Sequence, residues 1–132
     1  MKSHALAVLL ILAITTQSCA LTQEVTPIDE YPVAGTVIAG PVCPVAQNPP
    51  DPACADRPVA SAVIHILDSD RRVYSEIVTD ENGRFAVQLP AGFYTLEPQP
   101  VDGLIGTAPP QEFEAGAGFT IDLTVLYDTG IR

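Results

Sequence analysis

Residues 79–96 read TDENGRFAVQLPAGFYTL and contain one strand pattern enclosed by two turns. Asp80 favours a turn because its side chain can bond the nearby backbone, and Gly83 can adopt a positive φ without a Cβ clash. Apolar residues then alternate with polar or small ones, which is the period of a half-buried strand. Pro90 interrupts the pattern because it cannot donate to a strand ladder, and a second alternating run follows. Together with residues 73–78, the stretch predicts a meander of three neighbouring strands.

Two other stretches carry the same period. Residues 62–68 are rich in β-branched residues and are apolar on both faces. That pattern is typical of a central strand, or of a strand whose outer face meets a partner. Residues 119–125 give the clearest alternation in the chain. The inward faces of these strands predict one shared core, formed by Ile64, Ile66, Phe85, Leu89, Tyr94, Leu96, Ile121 and Leu123.

The quoted stretch also resembles a known family. Its pattern TDxxGxFxVxLPxGxYxL is similar to the signature of bacterial carboxypeptidase regulatory-like domains, and a looser match covers residues 33–127. These domains are relatives of transthyretin (prealbumin) and of collagen-adhesin B-type modules. The resemblance implies an all-β fold, a single transthyretin-like β-sandwich of about seven strands. It does not imply peptidase activity, because in that family the module is an accessory to the peptidase.

The chain is acidic throughout. It has 132 residues, enough for one small domain, and a formal net charge of −10. Such a surface repels phosphate backbones, so we expect no nucleic-acid partner. Its one lysine, Lys2, lies in the leader described below. The Lys–Asn isopeptide bond of many collagen-adhesin B-type modules is therefore chemically impossible in the rest of the chain.

Residues 1–20 have the pattern of a signal peptide. A short polar head precedes an unbroken apolar run of ten residues, 5–14, which as a helix would rise about 15 Å and so not cross a bilayer core of roughly 30 Å. The leader ends TQSCA, and two readings of it stay open. A bacterial lipobox would make Cys19 a lipidated first residue, although Thr16 stands where Leu is usual. Ordinary cleavage would remove Cys19 and release the protein.

Residues 21–32 predict a flexible tether, and residues 33–132 the sandwich domain. An unusually long loop, residues 41–58, holds six of the chain's 13 prolines together with Cys43 and Cys54. In an exported protein, two cysteines in one loop most simply form a disulfide. Closing this ring contributes about 3 kcal/mol by the chain-entropy estimate.

Other polar residues offer weaker candidates for a site. The acidic turns at 68–70 and 80–81 could converge at one end of the sandwich and bind calcium, but the alternating ligand frame of a calcium loop is absent. His65 is the one histidine outside the leader, and the sequence favours a surface or partly buried strand histidine over a catalytic base. Leu104 and Ile105 predict a hydrophobic plug for one end of the core, or an exposed contact.

We therefore predict a non-catalytic module without cofactor or metal, located outside the cytoplasm. It would be an envelope lipoprotein, or a secreted protein if Cys19 is removed. Its expected partner is an unknown protein or glycan at the cell surface. We expect contact with a membrane only through an N-terminal lipid anchor, if Cys19 carries one. The alternative is a carbohydrate-binding module, which the absence of Trp disfavours. A small hydrolase is least favoured: the transthyretin-like hydrolases end in Tyr-Arg-Gly-Ser, whereas this chain ends in YDTGIR.

Overall fold

The computed structural model describes residues 27–118 and 121–132, and within them the chain forms a β-sandwich. No α-helix occurs in these residues, and one short 3-10 helix spans Pro52–Cys54. The predicted all-β sandwich is confirmed, with eight strands in this part of the chain in place of about seven. The strands are β1 (Glu30–Gly40), β2 (Arg57–Pro58), β3 (Val63–Leu67), β4 (Val73–Val78), β5 (Arg84–Pro90), β6 (Gly92–Pro98), β7 (Gln111–Ala115) and β8 (Ile121–Asp128).

The first sheet is built around β1, which pairs with all three of its other strands. Along one side β1 is antiparallel to β5, from Glu30 opposite Pro90 to Thr36 opposite Arg84. The two-residue strand β2 continues the same side. Along the other side β1 is parallel to β8, with Gly40 as its last paired residue.

The second sheet has the order β4-β3-β6-β7, and every pair in it is antiparallel. Strand β3 therefore lies inside the sheet, as the apolar character of residues 62–68 predicts. Ile64 and Ile66 on its inner face are fully buried. The outer face of this sheet carries polar side chains such as His65 and Glu97, which are paired across β3 and β6.

The predicted three-strand meander is wrong. Strand β5 belongs to the first sheet, whereas its neighbours in sequence, β4 and β6, belong to the second. The chain changes sheets at the turn around Asp80 and again between Pro90 and Gly92. The two-residue period predicts which side chains share a face of a strand, but it does not predict which strand pairs with it. Strand β5 pairs with the long strand β1 and not with β4 or β6.

The core confirms most of the predicted inward faces. Six of the eight predicted residues are buried, whereas Ile121 and Leu123 are half-buried and pack against the core from its margin. The fully buried part of β8 lies further along the strand, at Val125 and Tyr127. The inward face of β8 was therefore predicted correctly, but its depth was not, because β8 is an edge strand whose first residues lie outside the centre of the sandwich.

A glycine in β1 allows the core to close. A Cβ at Gly35 would lie 2.4 Å from Cζ of Phe85 and 2.3 Å from the carbonyl oxygen of Leu123. The Phe85 ring therefore covers the bare backbone of β1 at this point, and no larger residue fits there. Glycine inside a strand often marks such a close approach.

The strand directions give the sandwich two different ends. The first, which we call the N-terminal end, holds Glu30, the connection from Pro90 to Gly92 and the Asp68–Arg72 turn. The opposite end, which we call the loop end, holds residues 41–58, residues 99–110 and the tail after Asp128. The two ends are separated by the eleven residues of β1, about 36 Å of extended strand.

The predicted boundary of the tether is wrong by three residues. Strand β1 begins at Glu30, so Pro32 lies inside the strand and not in a linker. Pro32 is tolerated because β1 is paired there with β5 alone, and pairing with β8 begins at the next residue, Val33. Residues 1–26, which include the predicted leader, Cys19 and the first half of the predicted tether, lie outside the described residues.

Two turns share one hydrogen-bonding pattern. Oδ1 of Asp68 accepts from the backbone N–H groups of Asp70 and Arg72, each at 2.9 Å. Oδ1 of Asp80 does the same with the residues two and four positions later, each at 2.8 Å. The fourth residue of each turn is left-handed, with φ of 59° at Arg71 and 68° at Gly83. The second turn thus has the glycine that the geometry favours, and the first does not.

We predict that Leu89→Ala lowers the free energy of unfolding by about 2–5 kcal/mol, because Leu89 is fully buried and the vacated space is enclosed. Leu126→Ala, at a side chain that is 49% exposed, serves as the matched control and costs far less. Urea denaturation of the oxidised protein measures both. Equal costs would show that the assigned inner and outer faces are wrong. The half-buried Leu123 falls between the two.

We also predict that Arg71→Gly is more stable than Arg71→Ala by about 1 kcal/mol, because glycine relieves the left-handed strain that any L side chain keeps. Both variants lose the exposed contact of Arg71 with Glu97, 3.8 Å away, so that contact cancels in the comparison. At the matched position Gly83→Ala is destabilising, since its Cβ would lie 2.4 Å from the carbonyl oxygen of Val37. Thermal unfolding of the three variants measures these differences, and an alanine variant at 71 as stable as the glycine variant would contradict the strain.

Candidate functional site

The loop end brings together the longest irregular segments of the described chain. Residues 41–58 follow β1, residues 99–110 join β6 to β7, and the tail follows β8. No residue of the first segment is buried, so it projects from the sandwich and does not pack into it. Loops fixed on a rigid scaffold are where proteins most often place their binding residues.

A disulfide closes the first segment. Cys43 and Cys54 are bonded, with 5.2 Å between their Cα atoms. Asp51 caps the short helix that carries Cys54, and its Oδ1 accepts from the N–H of Ala53 at 2.9 Å. The segment then returns to β1, where the N–H of Val59 donates to the carbonyl of Val37 at 2.9 Å. The disulfide ring itself closes outside the paired strands, so it fixes the shape of the loop and not of the sandwich.

The tail is tied to both loops. The N–H of Thr129 donates to the carbonyl of Gly40 at 3.2 Å, and its hydroxyl donates to the carbonyl of Pro41. The N–H of Ile105 donates to the carbonyl of Asp128 at 2.9 Å, and the hydroxyl of Tyr127 donates to the carbonyl of Gln99. The tail therefore holds the two loops at a fixed separation.

Asp128 and Arg132 form a bidentate ion pair within this tail. The guanidinium nitrogens lie 2.7 and 3.0 Å from the carboxylate oxygens, and the N–H of Gly130 donates to the same carboxylate at 2.7 Å. The hydrogen bond from Arg132, followed by that from Gly130, lowers the pKa of Asp128 to about 2. The carboxylate is therefore charged at every physiological pH, and its ion pair with Arg132 links the two ends of residues 128–132.

An apolar cavity of about 400 Å³ lies between the loops and the tail. Val42 and Val59 form one side, Leu104 and Ile131 the other. Arg57 also lines the cavity and has no ion-pair partner among the residues that the structure describes. The size and lining suit one or two apolar side chains of a partner.

The predicted plug is confirmed for one of its two residues. Leu104 packs against the core, whereas Ile105 is 60% exposed and bonds to the tail through its backbone. Together with Val45, also exposed, Ile105 gives the loop end an apolar surface. The sequence predicted an exposed contact at Ile105 as the alternative to the plug, but it gave no signal for Val45, which lies in an irregular segment where no period applies.

The acidic turns do not converge. The Asp68 turn lies at the N-terminal end and the Asp80 turn at the loop end, separated by the six residues of β4, about 20 Å. The carboxylates of both aspartates accept backbone hydrogen bonds within their own turns. The idea that these acids share one calcium site is therefore wrong. Within the described residues, no group of three or more His, Cys, Asp or Glu side chains could hold a metal ion.

His65 lies on the outer face of the second sheet, away from both cysteines and from the loop end. Its Nε2 is 3.3 Å from Oε2 of Glu76 on the neighbouring strand. The pair is a cross-strand contact on a solvated face, and among the described residues Glu76 is the side chain that His65 is hydrogen-bonded to. His65 thus takes the structural role that the sequence favoured.

Three of the aromatic residues form a row and not a flat platform. The rings of Tyr74 and Tyr94 meet edge to face at 5.7 Å, and those of Tyr94 and Phe113 stack at 5.8 Å. The central ring, Tyr94, is buried, and burial followed by the nearby Tyr74 raises its pKa. A glycan platform needs exposed coplanar rings. This row instead seals the N-terminal end of the core.

In the ranges 27–118 and 121–132 there is no helix of the length and apolar character that a membrane crossing requires.

Comparison with known proteins shows a shared fold. Neither protein-family models nor curated sequences give a match. Among solved structures, GBS52, the minor pilin of Streptococcus agalactiae, is similar with a TM-score of 0.58 and 13% identity over 76% of this chain and 45% of that one. The shaft pilin SpaA of Lactobacillus rhamnosus GG gives 0.56 and 12% over 75% and 51%. The TIE protein of Bacillus anthracis gives 0.54 and 19% over 74% and 17%.

The chain thus spans about half or less of the structures it resembles. At these identities the likeness shows a sandwich fold alone. The carboxypeptidase regulatory-like family remains a resemblance carried by the motif at residues 79–96.

We predict that Arg132→Gln raises the pKa of Asp128 from about 2 towards its ordinary value near 3.8, because the largest cause of the shift is removed. The folded-state pKa is depressed, so the contribution of this pair is present above about pH 4 and is lost as pH falls through about 2. The carboxyl ¹³C resonance of Asp128 reports the titration. Arg84→Gln, at an exposed arginine in another turn, is the control and leaves the resonance unchanged. An unchanged midpoint in the Arg132 variant would contradict the ion pair.

Proposed function

We propose that this chain is a non-catalytic module that acts outside the cytoplasm, either as a structural part or as a binder of another protein. The observation that carries the proposal is the arrangement of the two ends. The chain enters the sandwich at Glu30, and the stapled loop with Cys43 and Cys54 lies at the opposite end. A domain held by its N-terminal side thus presents its loop end away from the attachment.

Three further observations support this role. The Cys43–Cys54 bond belongs to an oxidising compartment, which agrees with the leader that the sequence predicts at residues 1–20. The fold is similar to modules of bacterial pilins, a shaft pilin and a minor pilin among them. The described residues offer no group of three or more His, Cys, Asp or Glu side chains that could hold a metal ion. Each observation fits a part of a surface assembly better than it fits an enzyme.

The loop end is the surface we propose for a partner. Val45 and Ile105 are 67% and 60% exposed there, beside the apolar cavity. Large exposed apolar side chains around a cavity are typical of a protein contact. The disulfide and the tail keep these residues in place before binding, which lowers the entropy that an interface would otherwise lose.

Attachment of the module to a membrane would depend on Cys19. In the lipoprotein form, Cys19 would be the lipidated first residue, and two or more acyl chains would make the anchor stable, as one chain alone does not. About ten residues would then connect the lipid to Glu30. In the secreted form the same module diffuses freely, and its loop end meets a soluble partner.

We predict that Cys19→Ser abolishes membrane association and leaves the precursor unprocessed, which cell fractionation and intact mass of the expressed full chain measure. Cys43→Ser together with Cys54→Ser is the matched control, because it removes cysteines while keeping the lipid attachment. A Cys19→Ser protein that is still cleaved and released would move the module to the secreted class.

The partner surface is tested by photo-cross-linking in cells that produce the chain. A photoreactive residue in place of Val45 or Ile105 is expected to give a specific adduct. The same residue in place of Gln88, exposed on the first sheet, is the control and gives none. Adducts of equal yield at all three positions would contradict a partner site at the loop end.

A further inference from the structure

A second concave surface lies at the N-terminal end, on the outer face of the β4-β3-β6-β7 sheet. It is an open groove of about 650 Å³. Strands β6 and β7 form one wall, with Phe93, Glu112 and Glu114, and the Asp68–Arg72 turn forms the other, with Arg71. Thr95 lines the groove between these walls. This groove is far from the loop end, so its occupancy is independent of the role proposed above.

The register of β6 and β7 sets the positions of the side chains. Phe93 is directly opposite Glu114, and Thr95 is directly opposite Glu112. All four belong to the outer face, since residues two apart on a strand share a face. Neighbouring Cβ atoms across such a pair are about 5 Å apart. An exposed ring, a hydroxyl and two carboxylates therefore lie within one small area.

The hydroxyl of Thr95 distinguishes this area from an ordinary solvated face. Two threonines of the described chain are buried, Thr79 and Thr95. Oγ1 of Thr79 is satisfied twice, since it accepts from the N–H of Ala62 at 2.9 Å and donates to the carbonyl of Val59 at 2.7 Å.

Thr95 is 9% exposed, yet its hydroxyl makes no hydrogen bond to any residue that the structure describes. No fully enclosed side-chain oxygen in this part of the chain lacks a partner, so the hydroxyl must reach the surface. The surface that Thr95 lines is the groove. A hydroxyl that reaches the surface without a partner in the described chain is available to a ligand.

The charges of the groove are unbalanced. Glu112 and Glu114 form no ion pair with the described residues, and Asp68 adds a third carboxylate. Arg71 is the cation among the lining residues, and its guanidinium lies 3.8 Å from Glu97. Phe93 is 69% exposed beside the carboxylates. An aromatic face next to carboxylates attracts a cation by both its quadrupole and its neighbours' charge.

We propose that this groove binds a lysine or arginine side chain of an extended segment of a partner protein. The apolar stem packs on Phe93, the charged head lies between Glu112 and Glu114, and one of its N–H groups donates to the hydroxyl oxygen of Thr95. Charge complementarity selects a basic partner. A second copy of this chain is a poor partner, because its overall charge is −10 and its surface would repel the acidic groove.

The test uses the oxidised, purified full chain and the peptide acetyl-Thr-Lys-Val-Lys-Thr-amide, whose two lysines share one face of an extended segment, so that either one can place its head between Glu112 and Glu114. NMR titration follows the backbone amides. We expect shifts at residues 93–95 and 112–114 with a Kd at or below about 1 mM, and about tenfold weaker binding for Glu112→Gln with Glu114→Gln, since two exposed ion pairs are lost. The peptide with both lysines acetylated is expected not to bind.

The matched control is Glu81→Gln with Asp102→Gln, which removes the same charge from exposed positions at the loop end. This protein is expected to bind as the wild type does. Equal weakening in the control and the groove variant would overturn the site, as would binding of the acetylated peptide or the absence of shifts up to about 1 mM. Thr95→Val keeps the side-chain shape and is expected to weaken binding several-fold. Unchanged binding in that variant would also overturn the proposal.

Discussion

The pairing of β1 on both sides is the constraint on which the rest of the structure depends. Strands β5 and β8 do not pair with each other, and each finds its place through β1. Gly35 makes this arrangement compatible with the core, because the ring of Phe85 covers it and the carbonyl of Leu123 passes close by. At Gly35 the backbone of β1 itself packs against Phe85 and Leu123, where a larger residue would make contacts through its side chain. Because β1 pairs on both sides, its direction also determines the end of the sandwich at which the long loops lie.

Much of the fold could be predicted from short-range patterns. The turn at Asp80 and Gly83, the alternation of β5 and β6, and the pairing of the two loop cysteines depend on neighbours in sequence or on few alternatives. The choice of which strands pair with each other does not depend on neighbours in sequence. The meander was wrong because alternation fixes the faces of β5 but leaves its sheet open. The depth of Ile121 and Leu123 was overestimated for the same reason, since an edge position follows from pairing and not from period.

The site features were harder to predict than the strands. Val45 and Ile105 lie in irregular segments, and the Asp128–Arg132 pair belongs to a tail without a period. The groove of Thr95 depends on the register between β6 and β7, which brings Glu112 and Glu114 beside Phe93. In the sequence the run QEFEA shows alternating acids, which an edge strand commonly carries for solubility. The unpartnered hydroxyl of Thr95 distinguishes a binding groove from an edge strand that is charged for solubility. The sequence alone does not show that this hydroxyl lacks a partner.

The parallel pairing of β1 with β8 has a mechanical consequence. The strands run in the same direction, and their paired residues extend from Val33 opposite Ile121 to Gly40 opposite Asp128. Tension applied between Glu30 and Asp128 would act along the strand axes. It would load the hydrogen bonds of this ladder together, in shear, where an antiparallel hairpin pulled from its open ends would lose them one at a time. A module with this geometry resists stretching along its length without needing a covalent cross-link between its terminal strands.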